Sequence, residues 1–375
     1  MTDAVRPLLV AAASARPLAS SAIRAGWNVT AVDGFGDLDT RRSAHHYRQV
    51  PFGPCGFDRA ALIQALNEYP GCSLVYGGGL EWTPDVLTGL RKDIEVAGNP
   101  PEILQTLGDA ERFFAELARL TIRHPEVRHA PPADGGAWLS KRAAACGGTH
   151  VCWWRGGEPH DAGRYFQRYT PGTAYSVIFL ADRQSFCEVG WNRLLEPNDP
   201  PGFNYRGAIN HADGLDPRAR NEVRGWVRRL VDALGLAGLN GIDFVLTDQG
   251  PELIDLNARP PATIALFDPE YPRGLVHAHV AAIRGKLPAA PRAHPPRAHE
   301  VVTAPRALTI PTEFRWPDWC ADIPMPGTRV PATAAVCSVF ACAEAHRIPT
   351  LLAKRKERVL ADLIYADAGP QALAS

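Results

Sequence analysis

Short apolar runs alternate with amphipathic stretches through the first hundred positions. "PLLVAAA" (7–13) is a continuous apolar run of strand length. "ARPLASSAIRAG" (15–26) has helical spacing and ends at Gly26. "WNVTAVD" is a second strand ending at Asp33, "DRAALIQALNEYP" a second helix, and "CSLVYGGG" a third strand opening into glycines. Strands alternating with helices in this way predict a parallel sheet.

From residue 101 the pattern changes. "PPEILQTLG" has prolines suited to a helix start. "DAERFFAELARL" is amphipathic, with Phe113, Leu117 and Leu120 at helical spacing. Residues 137–172 alternate strand and loop: "AWLSKR", a glycine loop, "VCWW" and "YFQRYTPG". "AYSVIFLAD" and "SFCEVGWN" read as an antiparallel pair, residues 216–236 as a long amphipathic helix, and "GIDFVLTD" and "PELIDLNA" as two further strands. "KLPAAPRAHPPRAHE" (286–300) is rich in Pro and Ala and reads as a solvated linker whose histidines hold no metal. Beyond it come short strand-like runs such as "RVPATAAVCSVFA" and the basic helix "LLAKRKERVLADLIYA".

Composition narrows the function. A chain of 375 residues suggests two or three domains at roughly 100–200 residues each. Lys+Arg and Asp+Glu are both 40, so zero net charge argues against a general grip on nucleic acid or anionic membrane. The first residues do not form a secretory signal, and no run of apolar residues is long enough for a membrane span, so a cytoplasmic location is expected. The eight cysteines form no C-x-x-C and are expected to be small core residues in a reducing compartment.

The candidate chemistry begins at "GIDFVLTDQGPELIDLNA". Two strands flank Asp248-Gln249-Gly250, a hairpin signal. With the turn centred on Gln249, Asp243 and Asp255 become direct cross-strand neighbours, with Cβ atoms ~4.5–5.5 Å apart. Asn257 shares their face, while Ile242, Phe244, Leu246, Ile254 and Leu256 form the core face. Two facing carboxylates repel, and a cation between them removes the repulsion. Two carboxylates and an amide oxygen suit magnesium, and Arg259 extends the face with a fork suited to phosphate. Upstream, Lys141 ends a strand before Gly147-Gly148, a loop able to close over phosphate oxygens.

The order of a lysine strand with a Gly-Gly loop, "FQRYTPG" and "GLNGIDFVLTDQGPELIDLNARP" resembles the ATP-grasp superfamily of ADP-forming ligases, over about residues 5–290. The resemblance implies a mixed α/β and α+β fold. It comprises an N-terminal Rossmann-like (pre-ATP-grasp) domain over 1–100 and a two-subdomain ATP-grasp clamp over 101–290. A linker at 291–300 then leads to a small C-terminal β-rich domain over 301–375 that covers the site. It implies that Lys141 contacts the nucleotide phosphates, Gly147 and Gly148 cover them, and Gln167 and Tyr169 lie at the hinge beside adenine. Asp243, Asp255 and Asn257 would hold magnesium, with manganese as an alternative ion, and Arg259 would contact phosphate in the transition state. The chain departs from the family at Asp255, where Glu is usual, at Ala258, where Pro is common, at Ala174, where many members place a ribose-binding Glu, and in "GDAERFF", which lacks a common Lys.

The implied reaction joins a small-molecule carboxylate to an amine through an acyl phosphate, releasing ADP. The run "ASARPLASSAIRAGWNVTAVDGFGDLDTR" resembles ATP-dependent carboligases of methanofuran and tetrahydromethanopterin-type cofactor synthesis, which implies glutamate joined to an amine such as tyramine or tyrosine, or to a pterin-type acceptor. "DIPMPGTRVPATAAVCSVFA" resembles the small β domain of carboxylase-type members, so bicarbonate is an alternative substrate. A non-catalytic ATP-binding sensor is a further alternative, and a homodimer is compatible with all of these. Arg16, after the first strand, and Arg206, in "YRGAIN", are the candidate substrate residues, Arg16 beside backbone donors suited to an anion. A dinucleotide oxidoreductase would use Asp33 on a ribose, but the first turn lacks G-x-G-x-x-G.

Overall fold

The structure, a computed structural model, describes residues 7–143, 145, 147–156, 163–196, 202–289 and 294–368. Among these, Leu8–Ala12 (β1), Val29–Asp33 (β2), His46–Gln49 (β3), Ser73–Tyr76 (β4) and Glu95–Val96 (β5) form a parallel sheet in the order β3-β2-β1-β4-β5. Helices Arg16–Arg24 (α1), Leu38–Ser43 (α2) and Arg59–Asn67 (α3) lie in its connections. The apolar run of β1 is continuous because its alternate side chains enter two cores. Leu8, Val10 and Ala12 pack with Leu18 and Ala22 of α1, while Leu9 and Ala11 join the core of Leu62 and Leu66 of α3. The sequence reading passed over α2 and β3. The first is six residues of mostly polar character, and the second is an edge strand with no buried residue, so neither carries an apolar period.

Two helices, Pro101–Gly108 (α4) and Ala110–Arg119 (α5), lead to an antiparallel sheet of Val127–Arg128 (β6), Trp138–Arg142 (β7), Val151–Trp154 (β8) and Arg164–Arg168 (β9), ordered β8-β7-β9-β6. Asp109 caps α5 by accepting a hydrogen bond from Arg112 N at 3.2 Å.

The largest sheet contains Thr173–Asp182 (β10), Phe186–Leu194 (β11), Gly207–Ile209 (β12), Ala237–Thr247 (β13), Gly250–Asn257 (β14), Arg297–Thr303 (β15), Cys320–Ala321 (β16) and Ala335–Cys342 (β17). Its order is β14-β13-β10-β11-β12-β15-β17-β16. The C-terminal strands therefore continue the same sheet, through the pairing of β12 with β15. The linker reading fails at Arg297–Glu300, which are strand residues, with His299 and Glu300 buried. The proline content suggested a solvated chain, but the last proline, Pro296, precedes the strand and leaves its ladder intact. Helices Pro217–Leu234 (α6), Gly274–Ile283 (α7) and Ile348–Ala368 (α8) are the remaining α-helices among the described residues.

Helix α7 escaped the sequence reading because it is apolar almost all round, as a helix enclosed on all sides must be. It lies between α1 and the large sheet and ties the N-terminal sheet to it. His279 of α7 accepts from Leu239 N at Nδ1 (2.7 Å) and faces Ala97 O through Nε2 (2.8 Å). Burial lowers its pKa to about 4, so the ring is neutral, with its proton on Nε2.

Asn99 makes a second tie. Its Nδ2 donates to Asn240 Oδ1 (2.8 Å) and Ala258 O (2.9 Å), and its Oδ1 accepts from Ala237 N (2.8 Å). Asn99→Ala leaves these buried groups unpaired and is expected to lower stability by ~3 kcal/mol, measured as a urea midpoint shift at constant slope.

Among the described residues no helix is long and apolar enough to cross a membrane. The cysteine expectation holds only in part: Cys72, Cys320 and Cys337 are buried, but Cys55, Cys152 and Cys342 are exposed, and Cys146 lies outside the described residues.

Candidate active site

The hairpin β13–β14 sets Asp243 directly opposite Asp255, Ile242 opposite Leu256 and Gly241 opposite Asn257. The route to that register differs from a turn centred on Gln249. Thr247 pairs with Gly250, so Asp248-Gln249 is a two-residue connection, and a bulge at Ile254 then shifts the pairing by one. The bulge also brings Ile254 to the cavity wall, so Leu253 is the core residue opposite Phe244.

Asn257 Nδ2 donates to Asp243 Oδ2 at 3.2 Å, and Leu256 N donates to Asp255 Oδ1 at 2.9 Å. Burial, then the charge of Asp255, pushes the Asp243 carboxyl above its ordinary range, against the pull of Arg259 and Lys141. Burial also raises Asp255, opposed by Lys141 and Arg259. Asp255 is open to the cavity yet enclosed by protein at longer range, and that enclosure governs its charge. A divalent cation removes the mutual repulsion. Among the described residues no three His, Cys, Asp or Glu side chains gather on one metal position. Asp243, Asp255 and, with its amide turned, Asn257 make a hard oxygen set that fits magnesium, which keeps waters and phosphate oxygens in its other positions.

Lys141 leaves β7 with its Nζ 3.1 Å from Gln167 Oε1, and both side chains are buried. Gln167 Nε2 is buried without a hydrogen-bond partner among the described residues. Such a donor costs ~1–3 kcal/mol unless a ligand satisfies it. Tyr169, half exposed, has its ring 4.8 Å from that of Trp153. Gly147 and Gly148 adopt φ of +71° and +75°, and Tyr205 N donates to Gly147 O at 2.9 Å.

Arg259, buried, pairs through Nε with Glu81, whose other oxygen accepts from Gly79 N at 2.6 Å. The loop after β4 thereby orients an arginine of the hairpin. Arg206 pairs with Glu300 at 2.7 Å and donates to Glu196 O at 2.8 Å; Lys356 meets the same Glu300 oxygen at 2.6 Å. Arg16 Nε lies 2.6 Å from Asp322 Oδ1. Asp33 accepts from Ala15 N (2.7 Å) and Gly36 N (2.6 Å), so it braces the first turn, which accounts for its place at the strand end without a ribose.

Lys141, Gly147, Gly148, Gln167, Tyr169, Asp243, Asp255, Asn257, Arg259, Arg16 and Arg206 all line one cavity of about 1380 Å³. The N-terminal sheet, the four-stranded sheet, the hairpin and the C-terminal strands all contribute to its walls. Residues 109–263, which carry most of these side chains, match the ATP-grasp domain family. The chain contains an ATP-grasp domain.

Solved structures extend the likeness of fold beyond that domain. A biotin carboxylase from Campylobacter jejuni, described as a β-γ-ATP complex, superposes with a TM-score of 0.71 at 15% identity, over 92% of this chain and 89% of that one. The biotin carboxylase domain of Hydrogenobacter thermophilus 2-oxoglutarate carboxylase, in complex with MgADP, ADP and bicarbonate, gives 0.70 at 13% identity, over 93% and 88%. N5-carboxyaminoimidazole ribonucleotide synthetase from Thermotoga maritima gives 0.66 at 12% identity, over 95% and 98%. No curated protein matches by sequence.

In the ATP-grasp domain, Gly148 meets a hard constraint. A Cβ there would lie 1.8 Å from Phe203 O, so Gly148→Ala must push the glycine loop off residues 203–204. The variant is expected to raise the KM for ATP at least about tenfold while the melting temperature stays within a few degrees, as measured by initial rates and a thermal melt. Sequence reasoning did not assign a role to Glu81, although it follows the glycines of "CSLVYGGG" at the C-terminal end of a parallel strand. A carboxylate at that edge, facing an arginine-bearing hairpin, was the available signal. His299, taken as linker, is buried at the cavity wall with Nε2 2.6 Å from Tyr205 OH.

Proposed function

We propose that the chain is an ADP-forming ligase that activates a carboxylate with MgATP. The observation that supports this most is the convergence of the Asp243–Asp255 pair, Lys141 and Arg259 on one cavity. In the reaction, a substrate carboxylate oxygen attacks the γ-phosphorus. A C–O–P bond forms, the bond from the γ-phosphorus to its bridging oxygen breaks, and ADP leaves with that electron pair. An amine then attacks the acyl carbon, phosphate departs, and the amine loses its proton to solvent.

Positioning and charge neutralisation carry such a transfer more than acid–base chemistry does. Lys141 places a point charge on the phosphate chain, and Arg259, held by Glu81, presents its guanidinium where charge develops. Gln167 and Tyr169 suit the base, Gln167 through its unpaired buried donor. Magnesium, held by Asp243, Asp255 and Asn257, would neutralise β- and γ-oxygens. The shorter Asp255 suits one ion better than two.

Glutamate with an amine acceptor, as in methanofuran- or methanopterin-type cofactor synthesis, is the candidate substrate pair that the sequence resemblance supplies. Bicarbonate is the second reading, favoured by the fold shared with the bicarbonate complex across most of the chain. An ADP-release screen with hydroxylamine tests the first: the cognate acid should give ADP and a hydroxamate in equal amounts. ADP release with bicarbonate but no hydroxamate would favour the second. MgATP binding with no acid-dependent ADP release would indicate a sensor.

A further inference from the structure

We infer that the N-terminal end of the cavity is a subsite for a protonated amine on a substrate, with Asp37 as its counter-charge; this deepens the ligase reading and rests on it. The same end had suggested the opposite chemistry, with Arg16 holding an anion. In the structure Arg16 is already matched. Its Nε is 2.6 Å from Asp322 and 3.7 Å from Asp39.

The neighbouring carboxylates have partners too. Asp39 accepts from Asp322 N (2.9 Å) and Ile323 N (3.1 Å). Asp33 accepts from two backbone amides and from Tyr47 OH (3.3 Å). Asp322 holds Arg16 and accepts from Ser14 Oγ at 3.3 Å. Asp37 differs. It is 7% exposed and borders the cavity, and its Oδ2 has no hydrogen-bond partner among the described residues. It occupies the N-cap of α2, where an aspartate ordinarily accepts a hydrogen bond from the first turn, yet it makes no capping bond.

The surrounding charge excludes an anion. Asp37, Asp39 and Asp322 surround Arg16, and Asp33 lies beside Asp37. The other guanidinium nearby, Arg41, is engaged by Gln49 Oε1 (2.7 Å) and Gly36 O (3.2 Å) and lies over the Tyr47 ring at 4.5 Å. Burial, then the charges of Asp322, Asp33 and Asp39, raises the Asp37 carboxyl to about 8 against the pull of Arg16. Phe35, 58% exposed, and Met325 also line the cavity and offer apolar wall for the body of an alkylammonium. The cavity is thus polarised, with Lys141 and Arg259 serving phosphate and Asp37 serving a cation.

The test uses the full chain with MgADP present and three probes of similar size: n-butylammonium, 1-butanol and butyrate. Ligand-observed NMR titration should show the ammonium binding about tenfold more tightly than the alcohol, with butyrate weakest. Asp37→Asn, nearly isosteric, should erase that preference while leaving MgADP affinity unchanged. Equal binding of ammonium and alcohol, or no ammonium binding, overturns the proposal on the wild-type protein alone, whether or not the variant folds. An unchanged preference in a variant that still binds MgADP also overturns it. Loss of MgADP binding in the wild type would instead count against the ligase reading.

Discussion

Asp255→Ala is expected to reduce acid-dependent ADP release by about 10²–10³-fold, the size of effect seen when one preorganised charge partner is removed from a transition state. The reason lies in the pairing. Asp255 stands directly across from Asp243, and both carboxyls are raised by burial, a repulsion that a shared cation would relieve. Removing one member relieves the repulsion. The apo protein should therefore melt no lower than the wild type, or slightly higher. Rate and stability should move in opposite directions, and steady-state ADP assays beside a thermal melt check both. A variant that lost activity only by unfolding would show both falling together.

Lys141→Met should cost about 10²-fold in kcat/KM for ATP. Lys141 is buried with Nζ on Gln167 Oε1, and it faces Tyr165 with Nζ 5.8 Å from the ring centre. In the proposed reaction a buried point charge there would serve phosphate bound in both ground and transition states, so KM should rise as kcat falls. Lys141→Arg should not restore activity, because a larger planar guanidinium cannot take the place of the buried ammonium beside Gln167 and Tyr165. Gln167→Ala should raise the KM for ATP with a smaller change in kcat. Initial-rate kinetics over ATP concentration separate these outcomes.

The architecture around the site was legible where local rules were strict. The N-terminal strands were readable because burial on both faces makes them continuous apolar runs. The hairpin was readable because Asp248-Gln249-Gly250 is a strong turn signal, and the Asp243–Asp255 contact emerged from it. Yet that contact depends on two features that compensate: a shorter turn, and the bulge at Ile254, which no residue pattern announced. The start of the strand Arg297–Thr303 was misread as linker because its pairing with a strand far back in the sequence, Gly207 with Glu300, leaves no local trace. Arg16 shows the same limit in charge. Its sequence neighbours suggested an anion site, but the decisive partner, Asp322, lies more than 300 residues away.

The most direct measurement is a calorimetric titration of the protein with ADP, first with magnesium and then with EDTA, repeated on Asp255→Ala. A magnesium-dependent nucleotide seat built on Asp243 and Asp255 should bind ADP at least about tenfold more tightly with the metal, and Asp255→Ala should lose that gain while keeping the metal-free affinity. Equal ADP affinity with and without magnesium, or a metal effect that survives Asp255→Ala, would contradict it.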